Sequence, residues 1–166
     1  LVVTSCPLSV QKYKEKGYKV FFMPGEADAD ILKNYNLKKE IDVLFFGRIN
    51  LDRKVLLNFI TNSGISIKIV GQDNNFVTDE ELSQLISKSR IVLNLSKSTG
   101  RTVTNYASAD IYKFCYLLKG SIIISGLCGT LCISEYSPGQ EIMFNKDEIL
   151  TFYTKEECVE ILKKVL

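Results

Sequence analysis

The 166-residue chain is 46% hydrophobic, ample for one globular domain with a packed core and cramped for two. Its formal charge of +2 argues against a general polyanion binder such as a nucleic-acid coat, and with no histidine it can assemble neither a Ser/His or Cys/His nucleophile pair nor a mixed Cys/His zinc site. The five cysteines include no CxxC pair, a usage that fits reduced thiols in a cytoplasmic protein.

The opening run LVVTS is strand-like and lacks an initiator Met or a basic signal-peptide head, so a fragment of something longer is expected. From there, β-branched and aromatic runs predict strands and apolar spacings of three and four predict helices. In chain order these are strand 2–4, helix 8–16, strand 19–23, helix 27–35, strand 42–46, helix 53–62, strand 66–70, helix 79–87 and strand 91–95, then strands 131–134 and 149–152 and helix 155–166. The runs Thr78-Asp79-Glu80-Glu81 and Thr154-Lys155-Glu156-Glu157 are capping-box helix starts. Strands 42–46 and 91–95 are apolar on both faces, as central parallel strands covered by helices should be. The alternation predicts an α/β fold, a Rossmann-like parallel sheet with helices on both faces. Residues 113–134 stay ambiguous on propensity, because Ile122–Ile124 reads equally as strand or as buried helix before GLCGT. No apolar stretch reaches the roughly 20 residues of a membrane-spanning helix, since Lys119 and Gly120 interrupt the longest candidate.

In an open α/β sheet, ligands bind outside the carboxyl ends of the strands, where helix N-termini favour anions. Gly47 stands at such an end, in VLFFGRINLDRKVL, with Arg48 and Lys54 placed to hold two oxygens of one diphosphate and Arg53 read as their exposed neighbour. The alternative is that Arg48 pairs with Asp52 and Lys54 is simply solvated. Gly71 after IKIV, Asn94 with Ser96 after IVL, and Glu135 after LCIS are further strand-end candidates. The polar stretch 96–109, which holds Arg101, reads either as a functional loop or as a surface one. Asp73, Glu135 and Glu141 are carboxylates able to act as acid or base, but spacing assigns none of them a catalytic role. No P-loop is found, and no metal ligand set is read.

The ordered set DVLFFGR-x4-RK, IKIVGQD, SKSRIVLNLS, LKG-x5-GLCGTLCISEYSPGQE and EILTFYTKEECVEIL resembles the carboxy-terminal half of GT-B glycosyltransferases, most closely the CgeB-type group with its glycosyltransferase-family-1-like domain. The resemblance implies a donor-binding domain at 42–166, with 1–41 a linking segment from an amino-terminal acceptor domain. It implies a nucleotide diphosphate sugar as co-substrate rather than a bound cofactor. Arg48 and Lys54 then grip the donor diphosphate above the Gly47 turn, Gly71 to Asp73 border the nucleobase, and Asn94 and Ser96 line the same cleft. The stretch 119–130 becomes a helix whose N-terminus, at Lys119 and Gly120, points at the donor; it ends in a turn at Gly129 and Thr130, and the next strand leads to Glu135. Such a chain is an enzyme's donor half, expected to be inactive alone.

Three departures stand against this. The family commonly carries an arginine and a ribose-binding glutamate where this chain has Ser121 and Ile124, and Tyr116 stands where many relatives have a second glutamate. Losing a carboxylate partner of ribose costs roughly 1.5–3 kcal/mol. The other reading is therefore a degenerate, non-catalytic domain that keeps the fold for binding or assembly.

Overall fold

A computed structural model describes residues 1–23, 25–71, 76–97 and 117–166. The chain begins with a small parallel unit, strand β1 (Val2–Thr4), helix α1 (Pro7–Glu15) and strand β2 (Val20–Phe22), paired Val2 to Val20 and Thr4 to Phe22. Val3 and Phe21 form the exposed face of this pair.

The main sheet contains β3 (Ile41–Phe46), β4 (Ile67–Val70), β5 (Ser89–Asn94), β6 (Leu131–Glu135) and β7 (Leu150–Phe152), in the order β4-β3-β5-β6-β7 and parallel throughout. The helices are α2 (Leu51–Asn62), α3 (Asp79–Ser87), α4 (Gly120–Leu127) and α5 (Lys155–Val165). Alternate side chains of the central strands go to opposite faces, as the pleat requires. Val43, Phe45, Ile91, Leu93 and Ile133 pack under α2 and α5, against Leu57, Ile60 and Leu162. Leu44 and Val92 pack under α3 and α4, against Ile86 and Cys128. Helices thus cover both faces, which makes the fold Rossmann-like and explains why β3 and β5 read as unbroken apolar runs.

Both capping boxes form. The Thr78 hydroxyl accepts from Glu81 N while the Glu81 carboxylate accepts from Thr78 N at 2.8 Å, and Thr154 with Glu157 repeats the arrangement. The ambiguous segment resolves as helix α4.

One predicted helix does not form. Residues 27–35 contain a single turn, in which Leu32 N donates to Asp28 O at 2.7 Å and the Asp28 side chain takes the N–H of Asp30. Beyond it the chain runs without regular structure along α3, whose serines take over its backbone groups. Lys33 N donates to Ser83 Oγ, Ser83 Oγ donates to Lys33 O, and Tyr35 N donates to Ser87 Oγ. The i, i+4 apolar spacing was real, but long-range side-chain partners for the backbone outcompete a helix too short to hold itself together.

Among the described residues no helix is long and apolar enough to cross a membrane. The four described cysteines are free, and burial pushes the thiols of Cys132 and Cys158 up to about 12, which leaves them inert as nucleophiles.

Candidate functional site

The strand order reverses between β3 and β5, because β3 leads to β4 on one side and β5 leads to β6 on the other. Crossovers diverge there, so the carboxyl ends of β3 and β5 leave a crevice between them. A cavity of about 300 Å³ occupies that position, lined by Gly47, Arg53, Asn94, Lys119, Gly120 and Ser121 among others. Four elements meet at it: the ends of β3 and β5 and the amino ends of α2 and α4.

Gly47 (φ +123°) and Gly71 (φ +87°) both adopt backbone conformations that favour glycine. They stand back to back, since a Cβ on residue 71 would lie 3.2 Å from Gly47 N. Gly47 N donates to Val70 O, which fixes the turn at the rim of the cavity. The backbone after β2 also reaches this region, where Gly25 crosses close over Gly120.

The structure reverses the expected orientations of the two adjacent cations. Lys54 is exposed, whereas Arg53 is half-buried and lines the cavity. Asn50 caps α2 by accepting from Arg53 N at 3.0 Å, and the Arg53 side chain then folds over the Phe45 ring, 5.8 Å from its centroid. Its Nη1 donates to Arg48 O at 2.6 Å and its Nη2 to Leu95 O at 3.0 Å, so one guanidinium ties the turn after β3 to the end of β5. The Nε is buried and has no hydrogen-bond partner among the described residues. Burial lowers the proton affinity of this group, and nearby Glu135 opposes that shift. A sequence signal for Arg53 existed: it lies four and seven residues before the buried Leu57 and Ile60, on the inward face of α2, and Lys54 is one position round the helix. Arg48 is exposed at the rim, and Asp52 pairs not with it but with Lys97, at 3.2 Å.

Asn94 lines the cavity and Ser96 lies behind it; the two are 2% and 0% exposed, and their bonds are internal. Asn94 Nδ2 donates to Ser134 Oγ at 2.7 Å and to Ser96 Oγ at 3.1 Å. Ser121 Oγ donates to Asn94 Oδ1 at 2.6 Å, and Ser96 Oγ donates to Glu135 O at 2.7 Å. Ser121, at the first turn of α4, thus anchors that helix to the end of β5. Ile124 packs against the core under α3 and α4.

Other expected residues are placed apart. Gly129 and Thr130 precede β6 and so lie at the opposite end of the sheet from the crevice. There Thr130 Oγ1 accepts from Lys39 Nζ at 2.9 Å and donates to Ile86 O at 2.7 Å, which is a structural tie. Glu141 is exposed on a 3-10 turn, Gln140–Ile142. Asp73, Arg101 and Tyr116 lie outside the described residues, as does most of the stretch 96–109.

Glu135 closes β6 beside a second cavity of about 310 Å³, which Arg53 and Leu95 also line. Its Oε2 accepts from Lys97 N at 2.7 Å. Burial raises its pKa, and the Lys97 N–H together with the charges of Lys97 and Arg53 pulls it back only in part. A carboxyl with a raised folded-state pKa contributes stability that is present below its unfolded pKa and is lost as pH rises through the folded value. Stability should therefore decline across that interval, and Glu135→Gln should flatten the decline in urea titrations. An unchanged slope would show that the burial of Glu135 carries no linkage.

A family whose description is glycosyl transferase-like matches residues 53–166, a range that begins at the inward-facing arginine and takes in every later element of the main sheet. No curated protein matches the chain.

Proposed function

The chain belongs to the glycosyl transferase-like family, and from that premise we propose that it is the donor-binding domain of a GT-B glycosyltransferase of the CgeB type, holding a nucleotide diphosphate sugar for transfer to an acceptor. The observation that carries this reading is the cavity at the switch point, where Arg53 and the amino ends of α2 and α4 converge. A diphosphate suits such a place, because helix-end N–H groups and a guanidinium both favour anions. Arg53 holds it from within and Arg48 from the rim, with Lys54 outermost. As the glycosidic bond breaks, negative charge grows on the leaving diphosphate, and cations already in place stabilise it without reorganisation. Gly71 borders the nucleobase side.

In this reading residues 1–41 join the domain to an amino-terminal acceptor domain, which supplies any acceptor base. The chain by itself then turns over no donor. Free thiols fit a cytoplasmic setting.

The non-catalytic reading also has an observation in its favour. The Ser121 hydroxyl is spent on Asn94 and Ile124 is packed in the core, so neither offers ribose a carboxylate. Calorimetric titration with UDP, GDP and their sugars separates the two. Saturable binding that Arg48→Ala weakens about tenfold supports the donor domain. No heat with any nucleotide, from a chain shown to be folded, supports the degenerate module.

A further inference from the structure

A diphosphate in the switch-point cavity leaves the second cavity unused. That one lies over the ends of β5, β6 and β7 on the α2–α5 side. We propose that it is a saccharide site, shaped for one neutral, hydroxylated ring and distinct from the cleft that holds the diphosphate. The inference builds on the donor-cleft reading, because Arg53 and Leu95 form a wall common to both cavities.

Size comes first. About 310 Å³ is near the lower limit of small-ligand pockets, roughly 300–1,000 Å³, which is room for a single ring. Charge comes second. The lining interleaves both signs at short range: Lys97 Nζ is 3.2 Å from an Asp52 oxygen, and Lys97 N donates to Glu135 at 2.7 Å. An anion entering here meets the carboxylates of Asp52 and Glu135, and a cation meets Arg53, Lys97 and Lys155. A neutral polyol avoids both penalties, since each hydroxyl can donate to a carboxylate and accept from an ammonium or guanidinium group. Surface comes third. Leu95 and Phe152 give the cavity an apolar lining, and Tyr153 at its edge is 68% exposed and stacked on Tyr136 with ring centroids 4.9 Å apart. A rigid aromatic beside an apolar patch matches the C–H face of a pyranose, with its hydroxyl edges left for the charged groups.

The test is an NMR titration of the chain with methyl glycosides of glucose, galactose, mannose and N-acetylglucosamine, alongside UDP and GDP. At least one glycoside should shift the amides of Lys97, Glu135 and Tyr153. Tyr153→Ala, an exposed change that leaves the core intact, should weaken that glycoside about tenfold while nucleotide affinity stays within about twofold. Nucleotide binding without any glycoside shift at these amides overturns the saccharide site and leaves the donor cleft standing. Glycoside binding that Tyr153→Ala does not weaken overturns it as well. Glycoside binding with no nucleotide binding keeps the site and removes the donor reading.

Discussion

Asn94→Leu should cost about 3 kcal/mol of folding free energy in urea denaturation, despite replacing one side chain by another of similar size. Asn94 is 2% exposed and is the only described side chain that joins β5, β6 and α4 through its own bonds: it donates to Ser134 and Ser96 and accepts from Ser121. Leucine satisfies none of these. Ser96 and Ser134 keep the Glu135 carbonyl as an acceptor, but Ser121 loses its acceptor inside the fold. Each buried polar group left without a partner costs about 1–3 kcal/mol. For a chain of this size the melting temperature should drop by roughly 6–12 °C. Ser121→Ala removes one bond and should cost about 1 kcal/mol. Equal losses from the two variants would mean that Asn94 matters only through α4. A loss below about 1 kcal/mol for Asn94→Leu would mean the network is not a structural hub.

Arg53→Ala should reduce nucleoside diphosphate affinity by tenfold to a hundredfold, about 1.5–3 kcal/mol for a charged hydrogen-bonding group, and should lower stability as well. Its guanidinium serves two purposes at once. It holds the Arg48 and Leu95 carbonyls, so its loss releases the turn after β3 from the end of β5. It also places positive charge in the cavity, where low solvent access makes charge count for more. Lys54→Ala should change affinity by less than about threefold, since Lys54 is exposed and its interactions are screened. Arg53→Lys separates the two purposes: it keeps the charge but cannot reach both carbonyls as a fork. If Lys restores binding, charge dominates; if it does not, the fork that positions the turn dominates. A Lys54→Ala effect equal to that of Arg53→Ala would place the diphosphate outside the cavity described here.

The carbon-rich β-branched runs and the two capping boxes were readable because their causes are local. Thr78 and Glu81 satisfy each other within one turn, and no distant residue is needed for that helix to start. Val43 to Phe45 and Ile91 to Leu93 are apolar on both faces because helices cover both faces, so their central position could be inferred from composition alone. The failure at residues 27–35 has the opposite origin. Its backbone partners, Ser83 and Ser87, lie some fifty residues further along the chain, and nothing near Lys33 announces them.

The candidate site divides in the same way. Sequence by itself determined that a glycine and basic residues follow the buried strand β3, because these are local facts. The α/β class, with its carboxyl-end crevice, follows from the alternation of strands and helices, which a short-range pattern records. Only the tertiary structure decided which cation turns inward, because a shift of one position round α2 separates Arg53 from Lys54 and the carbonyls that fix Arg53 come from Arg48 and Leu95. Only the tertiary structure tied Thr130 to Lys39 and Ile86 at the far end of the sheet, since those partners lie 91 and 44 residues away along the chain and no local pattern records them.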